Sequence, residues 1–144
     1  MKGKLNIYRT HVKTGKKELV ESISNMIVNQ MYNVLLNLFN ADPTYHVATM
    51  KFGTGTSSTA VDWTTLQLPI TPAKDVNAAI SPTDDFAVVF TAALGAGEGN
   101  GFAISEAGLF TQAGLMVART VFTARTKTSS YNFGFEWTVD VKAS

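Results

Sequence analysis

The spacing of apolar residues changes twice along the chain. "KLNIYRTHV" alternates imperfectly, as a short strand would, and "KTGKK" then interrupts the pattern. Farther on, apolar residues recur at intervals of three and four, the spacing of an amphipathic helix. "NADP" ends this stripe, because a residue before proline is pushed out of the helical region. The spacing predicts one helix over residues 18–40, with this apolar stripe: Leu19, Ile23, Ile27, Met31, Val34, Leu35 and Leu38.

After Pro43 the pattern becomes that of β-strands. "HVATMKF" and "FAVVFTAAL" are strand candidates, two more strands flank "TQAG", and "YNFGFEWTVDV" alternates strictly between apolar and polar residues. The glycine-rich "GTGTSST" and "GAGEGNG" are loops by composition, and the second is expected to be a flexible hairpin connection. These signals predict a mainly β protein: an antiparallel, jelly-roll-like β-sandwich over residues 45–142, with one amphipathic helix near the N-terminus packed against it.

Length and composition agree with this class. A chain of 144 residues suits a single domain, 1–144, with a substantial core. Hydrophobic residues make up 45% and charged residues only 16%. A surface with so little charge is typical of proteins that bury part of it against other protein. No apolar run is long enough to cross a bilayer.

The basic residues are unevenly distributed. Residues 1–17 hold six of the twelve basic residues and none of the eleven acids. We expect this basic N-terminal arm to reach a neighbouring subunit, so that deleting residues 2–12 leaves the sandwich folded. A solvated strand and an integral strand of the same domain are the alternatives, and no reading motif supports nucleic acid. The arm's expected contact residues are Lys2, Lys4, Leu5, Ile7, Tyr8 and Arg9.

Candidate catalytic chemistry is sparse. The chain has no cysteine, and His11 and His46 lack a second ligand at metal-binding spacing. "GAGEGNG" lacks the Lys-Ser/Thr ending of a phosphate loop, and no serine lies in a nucleophile motif. The sequence therefore predicts no enzyme activity, no metal, no cofactor and no small-molecule substrate. A carbohydrate-binding module remains an alternative if Trp63 is exposed among other aromatics.

One carboxylate stands in an otherwise small and apolar stretch, "GFAISEAGLF". If the strands around "TQAG" pair so that Phe110 faces Leu115, Glu106 lies directly opposite Arg119. Opposite charges across neighbouring strands attract, and arginine can bind a carboxylate through two donors. We expect this structural ion pair to fix the register of the hairpin, since a slip would leave both charges unpaired. An exposed pair of little energetic value is the alternative.

The same residues carry a resemblance. "EAGLF", "GLMVAR", the "KT" at Lys127–Thr128 and "EWTVDV" together resemble a pattern of tailed-bacteriophage virion proteins. Upstream, "MKFGTGTSST" is similar to the glycine-rich segment of tail-collar fibre proteins. Small capsid decoration proteins have comparable size and composition. The likeness covers about residues 50–141.

The resemblance implies a structural role in a virion, assembled in the host cytoplasm. The expected function is capsid decoration, in which a cement protein stabilises the particle through contacts with capsid or tail proteins. A chain without shaft repeats or a receptor-binding tip suits a cement protein better than a fibre. A baseplate or tail-fibre attachment component is the alternative. The low surface charge also predicts a homo-oligomer.

Overall fold

A computed structural model describes residues 1–84 and 86–142. Within these residues the chain forms nine strands, one α-helix and a 3₁₀ turn at Pro43–Tyr45. The predicted mainly β class is confirmed. The elements in chain order are β1 (Lys2–His11), β2 (Lys17–Ile27), α1 (Gln30–Phe39), β3 (Val47–Gly53), β4 (Lys74–Asp75), β5 (Asn77–Ile80), β6 (Ala87–Leu94), β7 (Ala103–Thr111), β8 (Met116–Thr126) and β9 (Tyr131–Asp140).

The strands form one antiparallel sheet in the order β4-β3-β7-β8-β2-β1-β9-β6-β5. Its two outer strands, β4 and β5, are consecutive in the chain and separated only by Val76. This segment pairs with β3 through Thr49 and Asp75 and with β6 through Thr91 and Asn77. The sheet therefore closes almost into a barrel, and the predicted jelly-roll sandwich is not confirmed.

The predicted basic arm is an integral strand. Most of it is β1, which pairs along its length with β2 on one side and β9 on the other. Leu5 and Ile7 are buried in the core. The prediction that the arm reaches a neighbouring subunit is wrong for these two residues, because their side chains already lie inside their own domain.

The predicted helix over residues 18–40 is wrong in its first half, and the helix does not lie at the N-terminus. Residues 17–27 form β2, and α1 begins only at Gln30. A bulge opposite Ile7 and Tyr8 shifts the phase of β2 at Val20, so that Ile23 and Ile27 turn toward the core in a period of two. The β-branched residues here are weak helix formers, and β1 offers them a continuous ladder of backbone hydrogen bonds.

The end of the helix lies where the sequence predicts it. Phe39 is its last residue, and Ala41 has a left-handed φ of 62°. Asp42 then caps the 3₁₀ turn, accepting a hydrogen bond from Thr44 N at 3.0 Å, with Pro43 in the first helical position. Proline is favoured there because it has no N–H to leave unpaired.

The main core lies inside the curved sheet and under α1. Met31 and Val34 of the helix pack into it, as do alternate residues of β9. The strict alternation predicted for β9 is confirmed: Phe133, Phe135 and Trp137 are buried, while their neighbours are half-buried. None of the described helices is long and apolar enough to span a bilayer.

The connection "GAGEGNG" is not a hairpin, contrary to the prediction. It joins β6, which pairs with β5 and β9, to β7, which pairs with β3 and β8. Glu98 closes the turn on itself, since its carboxylate accepts from Gly95 N at 2.8 Å and binds Lys74 Nζ at 2.9 Å. The segment is thus a fixed crossing between the two halves of the sheet.

Candidate functional site

Glu106 on β7 and Arg119 on β8 form a fully buried ion pair, with neither side chain exposed. Arg119 Nε donates to Glu106 Oε2 at 2.8 Å. Arg119 Nη2 lies 2.6 Å from the same oxygen, close enough for ionic attraction but without hydrogen-bond geometry. The structure thus brings together the two charges that the sequence analysis paired.

The register of the two strands differs from the predicted one. Phe110 faces Met116, not Leu115. Irregularities after Ile104 and after Leu109 place extra residues on β8. Glu106 and Arg119 therefore meet on a diagonal across the ladder.

The carboxylate of Glu106 also binds a loop that is distant in sequence. Its Oε1 accepts from the backbone N–H of Gly55 at 3.1 Å and of Leu68 at 2.7 Å. Its Oε2 accepts from Gln67 N at 3.0 Å. With Arg119 Nε, this makes four hydrogen bonds, about as many as a carboxylate has lone pairs to offer. Glu106 therefore holds residues 54–73, the loop between β3 and β4, against the sheet.

Arg119 holds the same loop from its other side. Its Nη1 donates to Ser57 O and to Thr59 Oγ1, both at 2.8 Å. The guanidinium lies 4.2 Å from the centre of the Trp63 ring, within the range of a cation–π contact. The pair is therefore a two-sided clamp on the loop in addition to a cross-strand contact.

The pKa of Glu106 reflects two opposing influences. Burial is the largest and acts to raise the pKa, since a charge is unfavourable away from water. The N–H donors of Leu68 and Gln67, together with Arg119, outweigh burial and hold the pKa below its ordinary value. The carboxylate is thus ionised and fully coordinated at neutral pH, a state suited to holding the chain in place and not to exchanging protons.

Two glycines allow the loop to approach this closely. A Cβ on Gly53 would collide with Glu106 Oε1 and lie 2.5 Å from Leu68 O. A Cβ on Gly55 would lie 2.7 Å from Glu106 Oε1. Only glycine fits at either position without displacing the carboxylate from its donors.

Polar side chains complete the attachment of the loop. Ser105 Oγ donates to Gly55 O at 2.7 Å. Gln67 Oε1 accepts from the backbone N–H of Thr56 and Ser57, both at 3.0 Å. Gln67, Ser57 and Thr59 are not predicted from the sequence, because nothing in a single sequence links them to Glu106. The glycine-rich segment was the one available signal of close approach.

Trp63 lies half-buried beside the clamp. It packs against a small second core formed by Val28, Leu66, Phe110 and Met116. Because the Arg119 guanidinium covers its ring, Trp63 does not form the exposed aromatic platform that a carbohydrate-binding module would need.

Lys127, the lysine of the "KT" motif, is also fully buried. Its Nζ donates to Asn100 Oδ1 at 3.0 Å and to Thr128 O at 2.9 Å. Burial lowers the pKa of Lys127, and the charge of Glu98 partly opposes that shift. Lys127 fastens the end of β8 to the glycine-rich turn before β7.

The four remaining residues of the predicted interface also lie in β1. Two of them line a groove, and the other two contact residues of β2. Lys2 and Lys4 are exposed and line a groove that also contains Asp84, Glu136 and Asp140. Arg9 binds Glu18 on β2 as a partly exposed pair. The Tyr8 ring lies 4.5 Å from Lys17 Nζ. Of these basic residues, Arg9 is thus ion-paired with an acid of the same chain, while Lys2 and Lys4 share a groove with acids.

Within residues 1–84 and 86–142, no three His, Cys, Asp or Glu side chains come together as a set of metal ligands. No family model, no curated protein and no solved structure matches this chain.

Proposed function

We propose that this protein is a structural component of a tailed-bacteriophage virion and that it decorates or cements the capsid. In this proposal it acts by repeated contact with capsid subunits and not by catalysis. It is assembled in the host cytoplasm and remains in the mature particle.

The observation that carries the proposal is that separate parts of the resemblance meet in space. "EAGLF" and "GLMVAR" lie on either side of one turn, and "MKFGTGTSST" is distant from both in the chain, yet Gly55, Glu106 and Arg119 belong to one hydrogen-bonded network. Because these residues bind one another, their joint presence supports the resemblance better than three short motifs taken separately would.

The clamp suits a protein that acts by binding partners on its surface. Residues 54–73 contain little regular structure and would not hold one shape unaided. The clamp gives this loop a fixed conformation, and a fixed loop loses less conformational entropy when it binds a partner. A lattice of identical capsid subunits would present the same partner surface many times.

A baseplate or tail-fibre attachment component is the second candidate. Here the specific support is the glycine-rich segment, which is similar to that of tail-collar fibre proteins and is the segment that the clamp holds. The two candidates differ in the partner that the protein would bind.

Binding to separated particle parts tests the proposal. The purified protein is mixed with capsids and, separately, with tails of the phage that encodes it, and each mixture is sedimented through a gradient. We expect saturable binding to capsids and an increase in their thermal stability. Binding to tails alone would establish the second candidate, and binding to neither would refute a virion role.

A loop variant links that result to the clamp. Arg119→Lys keeps the charge but cannot reproduce the guanidinium contacts to Ser57, Thr59 and Trp63. We expect it to fold and to bind capsids more weakly. The matched control is Arg125→Lys, a partly exposed arginine on the same strand, which should bind normally.

A further inference from the structure

The helix α1 has an apolar stripe that no part of the chain described by the structure covers. Tyr32, Leu36 and Phe39 are 58%, 68% and 85% exposed. Their spacing of four and then three residues places them side by side along one face. The buried face of the same helix, with Met31 and Val34, lies to one side of this stripe, and Asn33 and Asn37 lie to the other.

The stripe exposes a large apolar area for a helix of ten residues. Tyr32 and Phe39 together expose roughly 300 Å², given the area that aromatic side chains present. Leu36 brings the patch to about 400 Å², which is within the range of the largest apolar patch on a typical monomer, a patch that is often functional. It would supply about half of the roughly 800 Å² that each partner buries in a stable complex.

The charge pattern indicates what covers the stripe. Residues 22–41, which include all of α1, contain no Asp, Glu, Lys or Arg and form the longest uncharged run in the chain. A charged partner would find no complementary group on this face. A second copy presents the same uncharged face, so two copies can approach about a two-fold axis without repulsion between like charges.

We propose that α1 is the contact between two copies of this chain, packed helix against helix with Leu36 near the two-fold axis. Tyr32 and Phe39 of one copy then flank Leu36 of the other, and Asn33 and Asn37 lie at the polar rim. This inference deepens the proposed function and rests on it for its biological setting, because paired copies would bridge neighbouring capsid subunits.

The first test measures self-association without any particle, so that its failure is distinct from a failure to bind capsids. Sedimentation velocity of the full chain is recorded from micromolar to near-millimolar concentration. We expect a monomer–dimer equilibrium in the native protein. We expect Leu36→Glu and Phe39→Glu each to raise the dissociation constant about 100-fold, because every substitution occurs twice in a two-fold interface.

Two controls make this result specific. Ile80→Glu places the same charge at a residue of edge strand β5 that is 77% exposed, and it should leave the dimer intact. Thermal unfolding of all three variants should match the native protein at concentrations where it is monomeric, because the substituted side chains lie mostly in solvent and dimerisation does not then stabilise the native fold.

The second test uses the absence of cysteine from the chain. The Leu36→Cys variant should form an interchain disulfide under mild oxidation, and Ser129→Cys, in the exposed turn before β9, should not. A native chain that stays monomeric throughout would overturn the proposal, as would dimers that resist Leu36→Glu and Phe39→Glu. If the native chain is monomeric but these variants lose particle binding, the stripe binds another virion protein and not a second copy.

Discussion

Glu106 faces Val121, and Arg119 faces Gly108, so the two charges reach each other diagonally between β7 and β8. The small Gly108 lies against Leu66, a residue of the clamped loop. The diagonal contact leaves the second oxygen of Glu106 free for Gly55 and Leu68. The pair therefore joins three parts of the chain.

Removing one member of the pair should destabilise the protein strongly. Glu106→Ala leaves the Arg119 charge and three backbone N–H groups without their partner in a buried site. We expect the free energy of unfolding to fall by about 3–5 kcal/mol, as measured by urea denaturation. The double variant with Arg119→Ala should lose less than the sum of the two single losses.

The partly exposed pair Arg9–Glu18 is the control for that cycle, with 39% and 41% of the two side chains exposed. Glu18→Ala should lower the free energy of unfolding far less than Glu106→Ala does, because water screens an exposed pair. Additive losses for Glu106 and Arg119 would mean that the two side chains do not interact.

The stability of the protein should fall in acid in a way that depends on Glu106. The folded pKa of this carboxyl lies below its ordinary value of 4.5, so its contribution is fully present above that pH. The contribution is lost as the pH falls through the lowered pKa, because the unfolded state then binds the proton more readily. Glu106→Gln has no carboxyl group at this position, so its stability does not include this pH-dependent contribution. The difference in the free energy of unfolding between the native protein and Glu106→Gln should therefore disappear in acid.

Urea midpoints measured from neutral pH into the acid range test this dependence. Glu98→Gln serves for comparison, because the Glu98 pKa is lowered first by Gly95 N–H and then by Lys74, but the side chain is 32% exposed. At neutral pH, the difference in stability between the native protein and Glu98→Gln should be smaller than the difference for Glu106→Gln. Parallel curves for the native protein and Glu106→Gln would contradict the assigned role.

The closeness of the loop to the sheet can be tested at a single glycine. The Cβ of Gly53→Ala would collide with Glu106 Oε1 and the Leu68 backbone. We expect a loss of about 1–3 kcal/mol, as for other insertions into a packed site. Gly97→Ala, where nothing lies within 4 Å of the new Cβ, should change stability by less than about 0.5 kcal/mol. If Gly53→Ala and Gly97→Ala lowered the thermal stability equally, the loop would not lie close to the sheet at Gly53.

Deleting residues 2–12 should abolish folding, contrary to the expectation from sequence. The deletion removes β1, on which both β2 and β9 depend for pairing, and takes Leu5 and Ile7 out of the core. Circular dichroism and hydrogen exchange should show an unfolded chain. A cooperatively folded truncated protein would mean that β1 is dispensable to the sheet.

Features that depend on near neighbours in the chain could be predicted from the sequence alone. Strict alternation in β9 requires one buried face, so Phe133, Phe135 and Trp137 could be placed in the core without a structure. The proline after Asp42 ended the helix for a local steric reason. A carboxylate among apolar residues implied a cation nearby, and Arg119 was within reach on the next strand.

Features that depend on partners far away in the chain became visible only in the folded protein. The spacing of Leu19, Ile23 and Ile27 fits a helix as well as a bulged strand, and pairing with β1 selected the strand. Likewise, the backbone donors of Gly55 and Leu68 are separated from Glu106 by about forty to fifty residues and have no side-chain signature. A backbone N–H is present at nearly every residue, so its partner is set by the path of the folded chain.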